Sequence, residues 1–234
     1  MSHVLIGDGH YRGTPAERER WSRLVRKLEA DQVQELSVMG DFFELWIGLP
    51  GVMPSWQEEM LAELEPLKAG GTRMRYVVGN KDYFVPDWNR RSGLFDRVVE
   101  GTEVCPSAQG ELHLAHGDLV NRADRQYRTW RAFSRSWPIR TFARLLPRSA
   151  LARLGERLAK SLESTNKTHK MYFPESELEA RAREVPAAAT QIYGHFHVHR
   201  ELRFDNVRVI TLPFLATENG GILVDGSGFH LYAA

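Results

Sequence analysis

Seven side chains in this chain are of types that hold divalent cations: Asp8, His10, Asp41, Asn80, His116, His195 and His197. They come in five short blocks, Gly7-Asp8-Gly9-His10, Gly40-Asp41, Gly79-Asn80-Lys81-Asp82, His116-Gly117-Asp118 and Gly194-His195-Phe196-His197. Carboxylate and amide oxygens mixed with imidazole nitrogens suit borderline divalent ions rather than a thiolate site. Two ions about 3.5–4 Å apart could share such a set and activate a water for in-line attack at phosphorus. One block alone would say little. Gly-Asp is often only a turn, and a His-x-His pair on one face of a strand is common in cores and on surfaces. Five glycine-bearing blocks, each occurring once and four after a clear apolar run, make a coherent pattern.

The elements that must position these residues are β-strands. Val4 to Ile6, Leu36 to Met39, Tyr76 to Val78, Leu112 to Ala115 and, more weakly, Ile192 to Tyr193 precede the blocks. Polar clusters at several strand ends converge on one rim of a sheet, where α/β folds place their ligands. Thr14-Pro15-Ala16-Glu17 reads as a capped helix start, and Trp21, Leu24, Val25 and Leu28 follow at core-facing spacing. A second helix is expected from about Trp56 to Lys68, and an acidic one from about Glu175 to Glu184. Beyond His197 the chain turns β-rich, over Val207 to Leu212, Gly221 to Val224 and Phe229 to Tyr232. Strand and helix alternate up to His116, which predicts an α/β sheet with helices outside.

The chain has 234 residues, a hydrophobic fraction of 42% and a net charge of +1, which fits one large globular domain. Cys105 is the single cysteine, so no internal disulfide forms and a reducing cytoplasm is the expected setting. Neither a signal peptide nor a membrane-spanning run is expected. The neutral average hides a basic segment. Between Asn121 and Lys160, ten arginines and one lysine face Asp124 and Glu156, a local balance of +9. Within it Trp130, Phe133 and Trp137, then past Pro138 Phe142, Leu145 and Leu146, then past Pro147 Leu151, Leu154 and Leu158 recur at helical spacing, as short helices broken by the prolines. Two readings stay open. The stripe packs on the core with solvated arginines, or these helices form a cap whose arginine-rich rim meets anionic lipid.

With those residues in view, the chain resembles the calcineurin-like metallophosphoesterases, and within them the UDP-2,3-diacylglucosamine hydrolases of lipid A synthesis. Gly40-Asp41-Phe42-Phe43-Glu44-Leu45-Trp46-Ile47-Gly48 is close to that subfamily's second block, and His116-Gly117-Asp118 with Asp124 and Tyr127 is similar to its fourth. The resemblance implies a four-layer αββα sandwich over residues 1–234, with a helical lid at about 122–170. It implies a centre of two divalent ions, most simply Mn2+. Asp8, His10, Asp41 and His197 would hold one ion, and Asp41 would bridge to a second held by Asn80, His116 and His195. Catalysis would fall to Asn80, Lys81, Asp82 and His116. The UDP-sugar lipid would meet Asn80, Lys81, Asp124, Tyr127, Ser161, Asn166, Lys167, Lys170 and His195. The protein would be peripheral on the cytoplasmic side of the inner membrane, docked on anionic lipid through its basic amphipathic cap.

Three places depart from the subfamily's pattern: Gly9 for a leucine, Lys81 for an arginine, and the run Met171-Tyr172-Phe173-Pro174. Lysine keeps the charge but loses the bidentate fork. It is also a poor proton donor at neutral pH, which suits a pyrophosphate whose leaving group needs little protonation. Lys81 would then stabilise charge on the phosphoryl oxygens, and Asp82 would either orient neighbouring ligands or simply cap a turn. Competing functions are a phosphodiesterase or phosphatase on soluble nucleotides, a scaffold that keeps the fold, and a nuclease. The complete ligand set disfavours the scaffold. The helical spacing of the aromatics disfavours nucleic acid, whose single strands need interleaved stacking platforms.

Overall fold

The computed structural model describes residues 2–151, 153, 155, 157, 173–186, 189–216 and 220–233. The chain enters strand β1 (His3–Ile6), whose four residues are all buried. Such continuous burial belongs to a parallel strand covered on both faces. Helix α1 (Pro15–Ala30) starts at the expected capping box: Thr14 accepts from the Glu17 amide, the Glu17 carboxylate accepts from the Thr14 amide, and Pro15 pre-sets the first turn. Trp21, Leu24, Val25 and Leu28 form its buried stripe.

Strand β2 (Glu35–Val38) leads through the short β3 (Trp46–Ile47) to α2 (Ser55–Ala62) and α3 (Glu65–Ala69). The single helix expected over 56–68 is therefore two. Pro66 cannot donate into a continuous ladder and its ring crowds the preceding turn, so the helix restarts after Glu63-Leu64. Met60, Leu61, Leu64 and Leu67 are nevertheless all buried as their spacing predicts.

The chain continues through β4 (Arg73–Val77), β5 (Asp82–Tyr83), α4 (Val85–Ser92), β6 (Arg97–Val99), β7 (Thr102–Ser107) and β8 (Gly110–Ala115). Helices α5 (Arg125–Ser134), α6 (Trp137–Leu145) and α7 (Glu175–Ala182) follow, then β9 (Thr190–Tyr193), β10 (Arg200–Phe204), β11 (Val207–Thr211), β12 (Gly221–Asp225) and β13 (Gly228–Tyr232). One sheet runs β13-β12-β1-β2-β4-β6, with β1, β2, β4 and β6 mutually parallel. The other runs β10-β11-β9-β8-β7, with β8, β9 and β11 parallel.

Three apolar layers show how they stack. Val4, Ile6, Leu36, Val38 and Met74 pack against α1, α2 and α3. Leu5, Met39 and Val77 from the first sheet meet Leu112, Leu114, Ile192, Ile210 and Leu212 from the second. Tyr193, Val207 and Val209 cover the outer face of the second sheet with Leu178 and Ala182 of α7. This is the expected four-layer αββα order. It leaves the parallel strand ends of both sheets on one rim.

Helices α5 and α6, between β8 and β9 in sequence, bury none of their residues. Trp130 is 51% exposed, Phe133 56%, Trp137 75%, Phe142 61% and Leu145 78%, so this stripe does not pack on the core. The arginines lie on the other side. Arg140 pairs with Glu100, Arg144 with Asp87, and Arg131 with Asp118. Part of the arginine-rich rim thus turns back to the sandwich, while Arg125, Arg128 and Arg148 stay exposed. Leu154 and Leu158 of the basic segment, and Ser161, Asn166, Lys167 and Lys170 beyond it, lie outside the described residues.

Candidate metal centre

The first two blocks are zipped together by their backbones: Asp8 N donates to Gly40 O, His10 N to Asp41 O and Tyr11 N to Phe42 O, each at 3.1 Å. Asp8, His10, Asp41, His195 and His197 all have φ between 45° and 66°, among eight non-glycine residues with positive φ in the described chain. Left-handed backbone is costly for such side chains and gathers where geometry is over-determined by function. His195 and His197 sit in the loop after β9, His197 against His10 and His195 against Asn80. Two glycines permit this crowding. A Cβ on Gly79 would lie 2.2 Å from Asp41 Oδ1, and Gly40, at φ +85°, would press a Cβ to 2.6 Å from Gly79 N.

On one side of Asp8, Nε2 of His197 is 3.4 Å and Nε2 of His10 3.8 Å from Asp8 Oδ1, and these two nitrogens are 3.0 Å apart. On the other, Asn80 Oδ1 lies 3.0 Å from His116 Nε2 and 3.1 Å from His195 Nδ1, and His116 Nε2 is 3.6 Å from Asp41 Oδ2. The structure thus brings all seven singled-out side chains to one place. Asp8 with His10 and His197, and Asp8 with Asp41 and His116, each offer ligand atoms close enough for one ion.

The donor set fits a cation on three counts. Asp8 Oδ1 is buried with no hydrogen-bond partner, an expensive state unless something positive sits beside it. His116 commits Nδ1–H to Met39 O at 2.7 Å, leaving Nε2 as the ligand nitrogen. Finally, the local charge is negative. Burial, with the charges of Asp82 and Asp8, pushes Asp41 up to about 7. At His116 burial opposes protonation, but Asp41, Asp8 and Asp118 outweigh it and lift the ring to about 9. A potential that attracts a proton this strongly also attracts a metal ion. Burial depresses His10 to about 2 and His195 to about 4, which keeps both rings neutral and able to coordinate.

The residues around the centre differ in place from what their types alone suggest. Asp82 ties loops together: its Oδ2 accepts from Gly79 N at 2.7 Å, Tyr76 Oη at 2.9 Å and Asp41 N at 3.0 Å. Lys81 is 3% exposed, with Nζ 2.6 Å from Glu44 Oε1 and 3.1 Å from His10 Nδ1, so its charge is turned to Glu44 rather than to an open phosphate position. Asp124 caps α5 by accepting from Tyr127 N, and the Tyr127 hydroxyl donates to Asp118. Glu44, Asp118 and Phe214, which stacks on His197 at 4.9 Å, were not singled out by sequence reasoning. Glu44 could have been found as the acid that follows Gly40-Asp41-Phe42-Phe43, and Phe214 as the residue just past the end of β11.

No protein-family profile matches the chain. Among solved structures it is similar to an archaeal phosphodiesterase, with a TM-score of 0.53 at 11% identity over 100% of both chains, a likeness of fold alone. The fold is that of the calcineurin-like phosphoesterases. The chain is also 30% identical to the UDP-2,3-diacylglucosamine hydrolase of Azotobacter vinelandii, covering 99% of this chain and 98% of that protein. It is 28% identical to the enzyme of that name from Ectopseudomonas mendocina, covering 97% and 96%. The chain belongs to the UDP-2,3-diacylglucosamine hydrolase family.

Proposed function

We propose that this protein hydrolyses the pyrophosphate of UDP-2,3-diacylglucosamine to UMP and 2,3-diacylglucosamine 1-phosphate, with two divalent cations, most simply Mn2+. The observation that carries the reading is the rim itself, where seven O- and N-bearing side chains from five loops meet, the unpartnered Asp8 Oδ1 among them. Asp8, His10, Asp41 and His197 would hold one cation; Asp41, Asn80, His116 and His195 would hold the other. Bound there, such ions lower the pKa of a water and polarise phosphoryl oxygens.

The protein's own part is orientation. Met39 O fixes the His116 tautomer, Asp82 gathers the Asp41 and Asn80 loops, and the Lys81–Glu44 pair holds His10 from behind. Lys81 in this arrangement supports the centre and reaches phosphate only by leaving Glu44. Helices α5 and α6 would serve as a cap over the rim. Its outward aromatics, flanked by exposed arginines such as Arg125 and Arg128, suit the headgroup layer of an anionic inner-membrane surface. No helix among the described residues is long and apolar enough to cross a membrane.

The test is UMP release by the purified protein with Mn2+ on UDP-2,3-diacylglucosamine, run beside bis-p-nitrophenyl phosphate, with metal content measured on the same sample. Turnover of both substrates is expected. Turnover of only the chromogenic diester would leave a general phosphodiesterase of soluble nucleotides in its place.

A further inference from the structure

The third block, Gly79 to Asp82, is held from two sides. Inward, Gly79 N donates to Asp82 Oδ2 at 2.7 Å and Lys81 N to Asp41 Oδ1 at 2.8 Å. Outward, one guanidinium takes the carbonyls that bracket Asn80 and Lys81: Nη2 of Arg135 donates to Gly79 O and to Asp82 O, the latter at 3.1 Å. Arg135 comes from the C-terminal end of α5, not from the sandwich. Its side chain is 10% exposed and its guanidinium lies 5.7 Å from the centre of the Tyr83 ring. Tyr127 and Arg131, eight and four residues earlier on the same helix, meet Asp118 beside His116, Arg131 with Nε at 2.7 Å. Residues four apart share a helix face, so one polar rail on α5 touches two of the five site loops while the aromatic face points away.

We propose that Arg135 is a positioning residue of the metal centre: from the cap it fixes the Gly79–Asp82 loop so that Asn80 is presented to its cation. The inference rests on the reading of Asn80 as a metal ligand given above. Its physical basis is that Arg135 ties the carbonyls on either side of Asn80 and Lys81 to the cap, adding an outer restraint to a loop already bonded on its inner side. The two N–H groups of Nη2, held in the guanidinium plane, restrain both peptides at once. Partners behind a ligand commonly change metal affinity by roughly ten- to a hundredfold. Cap docking and metal loading are then one linked equilibrium.

The experiment titrates Mn2+ into metal-stripped full-length protein by calorimetry, for wild type, Arg135→Ala, Arg135→Lys and, as a control at an exposed position of the same helix, Thr129→Ala. Melting curves accompany each variant. Arg135→Ala is expected to weaken Mn2+ binding about ten- to a hundredfold, Arg135→Lys by a smaller factor, and Thr129→Ala not at all. Raising Mn2+ by the same factor should restore the Arg135→Ala turnover of bis-p-nitrophenyl phosphate, which a loss of general packing would not allow. If both Arg135 variants bind Mn2+ as tightly as wild type, Arg135 only docks the cap and the proposal is wrong. If the alanine variant does not fold, the lysine variant alone decides: wild-type affinity there overturns the proposal. A wild-type protein that binds no Mn2+ would instead sink the metal-centre reading itself.

Discussion

Trp137→Ala removes a ring that is 75% exposed at the start of α6, and it separates the two ways of reading the cap. An aromatic side chain of this size carries roughly 150–250 Å² of surface, so on the order of 150 Å² of Trp137 faces water. At about 25 cal/mol per Å², sinking half of that area into a headgroup layer contributes ~2 kcal/mol. The partition constant onto phosphatidylglycerol vesicles should therefore fall roughly thirtyfold in the variant. Folding should barely notice: the quarter of the ring in contact with protein accounts for about 1.5 kcal/mol at most, a Tm shift of about 5 °C or less. Vesicle co-sedimentation and a thermal melt on the same preparations measure both numbers. Arg131, Arg135, Arg140 and Arg144 are engaged by Asp118, loop carbonyls, Glu100 and Asp87, so exposed arginines such as Arg125 and Arg128 carry the charge-dependent part, and binding should weaken as salt rises. A variant that binds vesicles like wild type but melts more than about 10 °C lower would refute the reasoning, since the ring would then be core.

His3 gives a pH dependence remote from the metal centre. Burial, then the charges of Arg75 and Arg73, depress its pKa from 6.5 to about 3. The unfolded chain takes the proton first, so stability is complete above the unfolded pKa and is lost as pH falls from about 6.5 toward 3. Linkage puts the loss at about 2 kcal/mol by pH 5. Urea melts at pH 7.5 and 5.0 should show that difference, and His3→Gln should shrink it; an unchanged difference removes His3 as the cause. Lys81→Met leaves the 8%-exposed Glu44 with the longer Arg12 contact at 3.5 Å, which should cost about 3 kcal/mol, the low end for a broken buried pair. Lys81→Arg should keep turnover, and adding Glu44→Leu to Lys81→Met should recover most of the Tm. A Lys81→Met protein as stable and active as wild type would show that the pair supports nothing.

The seven site residues and the strands beneath them were legible in the sequence because their signals are local. A short apolar run, a glycine and a metal-type side chain stand within a few positions of one another, and strand ends in an α/β fold share a rim. The α1 start was legible for the same reason, since Thr14 and Glu17 are three residues apart. Pro66 was equally local, and the break between α2 and α3 could have been read from it. What only the tertiary structure decided involves partners far away in the chain. The period of α5 and α6 defines an aromatic face and an arginine face, yet both have the same period, and nothing local says which faces inward. That choice was made by Glu100, Asp87, Asp118 and the carbonyls of Gly79 and Asp82. Lys81 likewise turned to Glu44, 37 residues earlier, because a buried ammonium must find its carboxylate wherever the fold has placed it.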